Sequence, residues 1–193
     1  MRAFILKLMQ KVLILLKRFK KRIFLMYKLN LYSNRLKVKN DFVFGDSFEI
    51  CFDLSKSRIQ IGSNVEFRNF CQLRSGMDGE LLIGNRVFFN NNCSINSMHL
   101  VSIGDDCQFG EGVKFYDHNH EFRLSDKLIN EQGYIFGEIK IGKNCWFGSN
   151  VIILKNVEIG DNVVVGAGCV IHKSIPSNSV VKNSQNFIVE LKQ

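Results

Sequence analysis

The chain predicts an all-β solenoid, short parallel strands wound into triangular coils, with a basic helical segment ahead of it. Three observations carry that expectation. Six copies of one pattern (aliphatic or Phe, any residue, aliphatic or Phe, Gly, two turn-like residues, a small or apolar one, any residue, another apolar) start at Phe42, Ile59, Leu81, Val101, Ile139 and Val157. Their glycines, Gly45, Gly62, Gly84, Gly104, Gly142 and Gly160, lie 17, 22, 20, 38 and 18 residues apart, so a coil takes about eighteen residues. Apolar marks recur every six residues, as in the series Ile141, Phe147, Ile153, Ile159, Val165 and Ile171. Three six-residue sides per turn describe a triangular prism, and self-similarity at a fixed offset separates stacked coils from a β-sandwich.

The basic segment comes first. The net charge of +8 is uneven: residues 1–40 hold twelve Lys or Arg and no acid, and the other 153 hold fourteen bases and eighteen acids. Met1 to about Leu31 has no Gly or Pro. Ile5, Leu8, Val12, Leu16, Phe19, Ile23 and Met26 follow steps of three and four, which is the period of an amphipathic helix. The longest apolar run, Val12 to Leu16, is too short to span a bilayer. Interspersed charges and the lack of a small-residue cleavage site argue against a signal peptide. Such a helix either lies on an anionic membrane surface or caps the prism or a neighbouring subunit. The domain boundaries that follow are a basic segment at 1–40, a solenoid at 41–176 with a loop at 116–137, and a tail at 177–193.

Within the solenoid, Asn64, Asn85, Asp105, Asn144 and Asp161 suit corners where the chain turns tightly or takes positive φ. Cys51, Cys71, Cys93, Cys107, Cys145 and Cys169 form no CxxC pair. Cys107 and Cys145 fall where Val65, Val87 and Val163 fall in other coils, so they read as small core hydrophobes in a reducing compartment.

One interruption exceeds all others: Tyr116 to Gly137, opening with Tyr116-Asp-His-Asn-His-Glu-Phe122. Loops on a rigid scaffold are favoured places for reactive groups. Here two of the four histidines sit beside Asp117 and Glu121. An imidazole can accept a hydroxyl proton near neutral pH, and a carboxylate partner fixes its tautomer. His118 is the expected general base, with His120 in reserve; the bland alternative is a solvated polar loop start. In an extended segment the two rings are expected on opposite sides.

Ile139-Lys-Ile-Gly-Lys-Asn-Cys-Trp-Phe-Gly-Ser-Asn-Val151, continuing through Val157-Glu-Ile-Gly-Asp-Asn-Val-Val-Val-Gly-Ala-Gly168, resembles the hexapeptide-repeat acyltransferases. The likeness runs from roughly Phe42 to Pro176 and is closest to the sugar and surface-polysaccharide O-acetyltransferases. It implies a left-handed parallel β-helix, a homotrimer, and acetyl-CoA as co-substrate in a cleft between subunits. By resemblance His118 opens the loop as base, with Asp117 beside it. Trp146, Gly148, Ser149, Gly166, Ala167, Gly168 and Lys173 then line acetyl-CoA, and Asn92 and Glu121 the acceptor. Backbone N–H groups at Gly148 and Ser149 are the expected oxyanion donors. The family's closing Gly-Xaa-Pro-Ala is absent here, and His172 stands where Thr is usual.

No metal and no nucleic acid are expected. The expected home is cytoplasmic, with peripheral contact at the inner membrane face through residues 1–31. Rival readings are an antibiotic or other small hydroxylated acceptor, a zinc lyase of the γ-carbonic-anhydrase type using His99, His118 and His120, and a catalytically silent scaffold.

Overall fold

The computed structural model describes residues 2–53 and 56–184. The chain divides into two compact units, Met1–Lys37 and Val38–Gln193. The first is dominated by one helix, Arg2–Leu31, which carries no acid in its first turn and Lys28 in its last. A cation in the last turn offsets the negative end of the helix dipole. The Lys28 ammonium also lies 5.6 Å from the ring centres of Phe24 and Tyr32.

The second unit is a parallel β-solenoid with three faces. One face stacks Arg58–Ile61, Glu80–Ile83, Leu100–Ile103, Glu138–Ile141 and Val157–Ile159. The next stacks Val43–Phe44, Glu66–Phe67, Phe88–Phe89, Gln108–Phe109, Trp146–Phe147, Val164–Val165 and Val180–Val181. The third stacks Glu49–Phe52, Gln72–Ser75, Ser94–Ser97, Lys114–Tyr116, Ile152–Leu154 and Val170–Ile171. Every rung is parallel and in register, so equivalent side chains form ladders through the interior. Phe67, Phe89, Phe109 and Phe147 stack with ring centres 4.2, 4.6 and 4.9 Å apart, and Phe115 meets Phe109 edge-on at 5.2 Å. Each such aromatic pair contributes about 0.5–1.5 kcal/mol beyond area burial. Val65, Val87, Cys107, Cys145 and Val163 form another buried ladder, as the substitution of Cys for Val predicts.

The corner residues divide the work by position. The first after Gly caps its neighbour: Asn85 Oδ1 accepts the Ser63 N–H, Asp105 Oδ1 the Asn85 N–H, and Asp161 Oδ1 the Lys143 N–H. The second takes positive φ, as at Asn64 (55°), Asp106 (62°), Asn144 (54°) and Asn162 (56°).

Three boundaries differ from the sequence expectation. The copy at Phe42 belongs to the second face: Phe44 pairs with Phe67, and the Gly45 N–H bonds Phe67 O at 2.8 Å. The other five copies lie on the first face. Gly follows the strand at both corners because both press on the next coil. A Cβ on Gly84 would sit 2.8 Å from Asp105 N, and one on Gly148 2.6 Å from Ala167 N. Winding also begins before residue 41, since the Lys39 N–H bonds Ile61 O. It continues past Pro176, with Val180–Val181 paired to Val164–Val165, where a tail is expected. Residues 185–193 of that tail lie outside the described residues.

The long insertion leaves the register untouched: Leu100–Ile103 pairs directly with Glu138–Ile141. The intervening segment is an antiparallel arm, His118–His120 against Tyr134–Phe136. The Gly137 N–H bonds Asp117 O at 2.8 Å and closes its base.

Candidate active site

The arm springs from a polar patch at one end of an otherwise apolar core. Asp117 stands two residues beyond the core residue Phe115, as Ser97 stands beyond Ile95 and Ser75 beyond Leu73. All three of these polar residues are buried, with Asp117 0% exposed. A carboxylate so placed needs donors on every side, and it has them. Ser97 Oγ donates to Oδ2 (3.0 Å), the His99 N–H to Oδ2 (2.9 Å), and the Met98 N–H to both oxygens (2.9 and 3.0 Å). The remaining approach to Oδ1 is taken by His118 Nδ1 at 2.9 Å. Asp117 is therefore placed as an acceptor to its whole surroundings, which assigns the proton of a neutral His118 to Nδ1 and the lone pair to Nε2.

The His118 side chain is 13% exposed. It lines a cavity of about 170 Å³ whose other walls include Asp53, Arg74, Asn96, Tyr116 and Tyr134. Arg74 and Asp53 form a bidentate pair at 3.0 and 3.1 Å. That pair raises the guanidinium's pKa from its ordinary value, chiefly through the hydrogen bonds to Asp53. Tyr134 comes from the returning strand of the arm and places its ring edge-on to His118, with centres 5.6 Å apart. The site thus joins an imidazole held by a buried carboxylate, a paired guanidinium and carboxylate, and an aromatic wall. A sugar-sized polar molecule with an apolar face matches that set.

His120 lies outside the cavity and is exposed, against Tyr134 at 4.6 Å. The expectation that the two rings part is wrong. Residues two apart in a strand share a face, and both rings reach the same tyrosine. Glu121 is not at the cavity either: its Oε1 accepts the Phe122 and Arg123 N–H groups and shapes the arm's turn. Asn92 is exposed at a corner with φ 61°, and its Nδ2 donates to Glu111. Within one chain neither reaches His118; Asn92 lies on the same edge as Ser149.

The residues assigned to acetyl-CoA fall into two groups. Trp146 pairs in register with Val164, so Trp146, Gly148 and Ser149 sit beside Gly166, Ala167 and Gly168 along the edge between the second and third faces. Trp146 is 55% exposed there, an apolar plate open to a partner. Lys173 lies past Val170–Ile171, at the other edge of the third face, the same edge that His118 occupies. Asn150 and Asn156 mark those two edges with φ 58° and 61°. The six residue steps from one to the other extend roughly 20 Å at about 3.3 Å each. One chain therefore keeps its base and its Trp146 edge apart. The oxyanion expectation needs correction as well. The Gly148 N–H is spent on Val165 O at 2.7 Å, whereas the Ser149 N–H has no partner among the described residues.

Among the described residues no three His, Cys, Asp or Glu gather as a metal site. Within one chain His99 Nε2 turns to Glu138 (3.7 Å) while His118 Nδ1 turns to Asp117 (2.9 Å).

Residues 138–173 match the family described as bacterial transferase hexapeptide (six repeats). An Escherichia coli protein named for O-acetyl transfer in lipopolysaccharide biosynthesis is 30% identical over 138 residues, covering 68% of this chain and 70% of its own. The galactoside O-acetyltransferase of Escherichia coli is 37% identical over 102 residues, 51% of this chain and 47% of that enzyme. The chain spans about half the length of several such relatives, a Schizosaccharomyces pombe protein at 48% among them. Among solved structures, a variant of AntD, an N-acyltransferase from Bacillus cereus crystallised with dTDP-4-amino-4,6-dideoxyglucose and coenzyme A, superposes with TM-score 0.63. It is 20% identical, over 86% of this chain and 90% of that one, a likeness of fold.

Proposed function

From a chain that belongs to the bacterial hexapeptide transferases, we propose an acetyl-CoA-dependent O-acetyltransferase acting on a sugar or surface-polysaccharide building block. The observation that carries this reading is the His118–Asp117 dyad on the cavity wall, 2.9 Å apart, with the carboxylate fully buried. The names of the two Escherichia coli relatives, both O-acetyl transferases, supply the reaction class.

In this reading His118 Nε2 takes the proton of an acceptor hydroxyl held in the cavity. As the oxygen attacks the thioester carbonyl, Asp117 holds the ring's orientation and stabilises the imidazolium that forms. The Ser149 N–H faces the developing oxyanion. His118 returns its proton to the departing thiolate, so no acyl-enzyme is formed and the cysteines stay in their core ladders. Trp146, Ser149 and Ala167 flank the pantetheine arm; Gly148 permits their close stacking. Tyr134 offers the acceptor ring a flat surface, and the Arg74–Asp53 pair offers it donors and acceptors together.

The base and the Trp146 edge lie on different edges of one prism, so a complete site needs two chains side by side. A closed cyclic assembly, a trimer, supplies three such junctions. Acceptors of this class are assembled at the inner face of the cytoplasmic membrane, and there we place the reaction.

Thiol release from acetyl-CoA, read against nucleotide sugars, oligosaccharides and hydroxylated antibiotics, tests the acceptor class. Release with a saccharide that vanishes in His118→Ala is the expected result. Release with an antibiotic alone overturns the sugar reading, and no loss in His118→Ala overturns the base.

A further inference from the structure

The helix Arg2–Leu31 holds a face that the acyl-transfer chemistry leaves unused. Met9, Val12, Leu16, Phe19, Ile23 and Met26 follow steps of three and four, so they line one stripe. Every one is exposed: 64, 48, 52, 62, 51 and 70%. Six large apolar side chains in one open row exceed the scattered exposure of an ordinary surface. At 100° per residue, Lys7, Lys17, Lys21 and Lys28 fall on the opposite side, with Lys11, Lys20 and Arg22 toward the flanks. The helix contains no Asp or Glu at all.

We infer that this stripe is a docking surface for an anionic lipid bilayer, on which the helix lies in the plane of the headgroups. Charge decides between lipid and the other natural occupant, the same helix of a second copy. Helices packed on one another through this stripe would bring the flanking Lys11, Lys20 and Arg22 of each together, and neither helix carries an acid to separate them. A bilayer surface carrying anionic headgroups meets the flanking cations, attracts the others through its surface potential, and takes up the apolar stripe as well. Long Lys and Arg stems on the flanks reach up to the headgroups while their methylenes stay in the apolar layer. The helix is not long and apolar enough to cross the bilayer. Residues 41–193 carry fourteen bases and eighteen acids, so an anionic surface repels the solenoid and attracts the helix. This inference is independent of what the active site acylates.

The test is flotation of the full chain with phosphatidylcholine vesicles, with and without phosphatidylglycerol. The intact protein should float with the anionic vesicles, stay behind with the zwitterionic ones, and be released by salt. A charge variant, Lys11→Gln, Lys20→Gln and Arg22→Gln, should lose about fivefold in partitioning for each cation removed. A face variant, Leu16→Gln, Phe19→Gln and Ile23→Gln, keeps good helix formers and should lose flotation at unchanged solution mass. Equal recovery on both vesicle types overturns the inference, as does a face variant that floats like the parent. A face variant that breaks the oligomer, from a parent that never floats, assigns the stripe to a second copy.

Discussion

Replacing Asp117 by Asn tests the candidate site at its most constrained atom. The change is nearly isosteric, so any effect comes from trading an acceptor for a donor. If the new amide nitrogen takes the place of Oδ1, it confronts His118 Nδ1 and the Met98 N–H. His118 can escape only by moving its proton to Nε2, which removes the base. If it takes the place of Oδ2, it confronts the His99 and Met98 N–H groups, and only Ser97 Oγ can rotate to accept. General-base catalysis supplies about 10²–10⁴ in rate, so loss of the correct tautomer should cost most of that in kcat. One or two buried N–H groups left facing donors cost about 1–3 kcal/mol each. For a chain of this size that lowers Tm by roughly 2–4 °C per kcal/mol. Thiol release gives the first quantity and thermal unfolding the second. The effect should vanish in a His118→Ala background, because Asp117 acts through the ring. A kcat within about threefold of the parent together with an unchanged Tm would refute the dyad. So would an equal loss in the His118→Ala background.

His118→Ala should abolish turnover, whereas His120→Ala, removing an exposed ring packed on Tyr134, should leave kcat within about tenfold; kinetics on both variants decides. Phe109→Ala removes the middle of the aromatic ladder and should cost about 3–5 kcal/mol, read by chemical denaturation. Gly148→Ala places a Cβ 2.6 Å from Ala167 N, so a coil must shift; KM for acetyl-CoA should rise more than kcat falls.

Much of the fold is legible because coil geometry repeats. The six-residue apolar marks, the Cys-for-Val exchanges and the interruption at Tyr116 all follow from ladders that must match rung by rung. The phase of the first copy is not legible. Apolar-x-apolar-Gly serves two corners, as Phe109-Gly110 and Phe147-Gly148 show beside Ile141-Gly142, so Phe42–Gly45 fits either. At the site, His118 and Asp117 are readable from the loop's opening. The support beneath them also leaves a trace, a Ser two residues past the mark at Leu73 and again at Ile95, in step with Asp117. Tyr134 and the Arg74–Asp53 pair leave none, because each arrives from a coil or strand remote in sequence. Likeness of sequence assigned Lys173 to acetyl-CoA without revealing that within one chain it shares an edge with His118 and not with Trp146.

That separation of edges carries a consequence for assembly. His118 ends one side of the third face, and Ser149 with Ala167 begins the other, roughly 20 Å away along the strand direction. If the thioester lies against Ser149 and its carbonyl must meet His118 Nε2, the two come from different chains. Subunit mixing makes this measurable. His118→Ala removes the base but leaves the other edge whole. Ala167→Trp, at an exposed position, blocks that edge and leaves the base whole. Each variant alone should be inactive. Unfolded together in equal amounts and refolded as mixed rings, about one junction in four should pair an intact His118 with an intact Ala167 edge. Activity near a quarter of the parent's should then return. A site completed within one chain contains a defect in every subunit, and mixing would restore nothing.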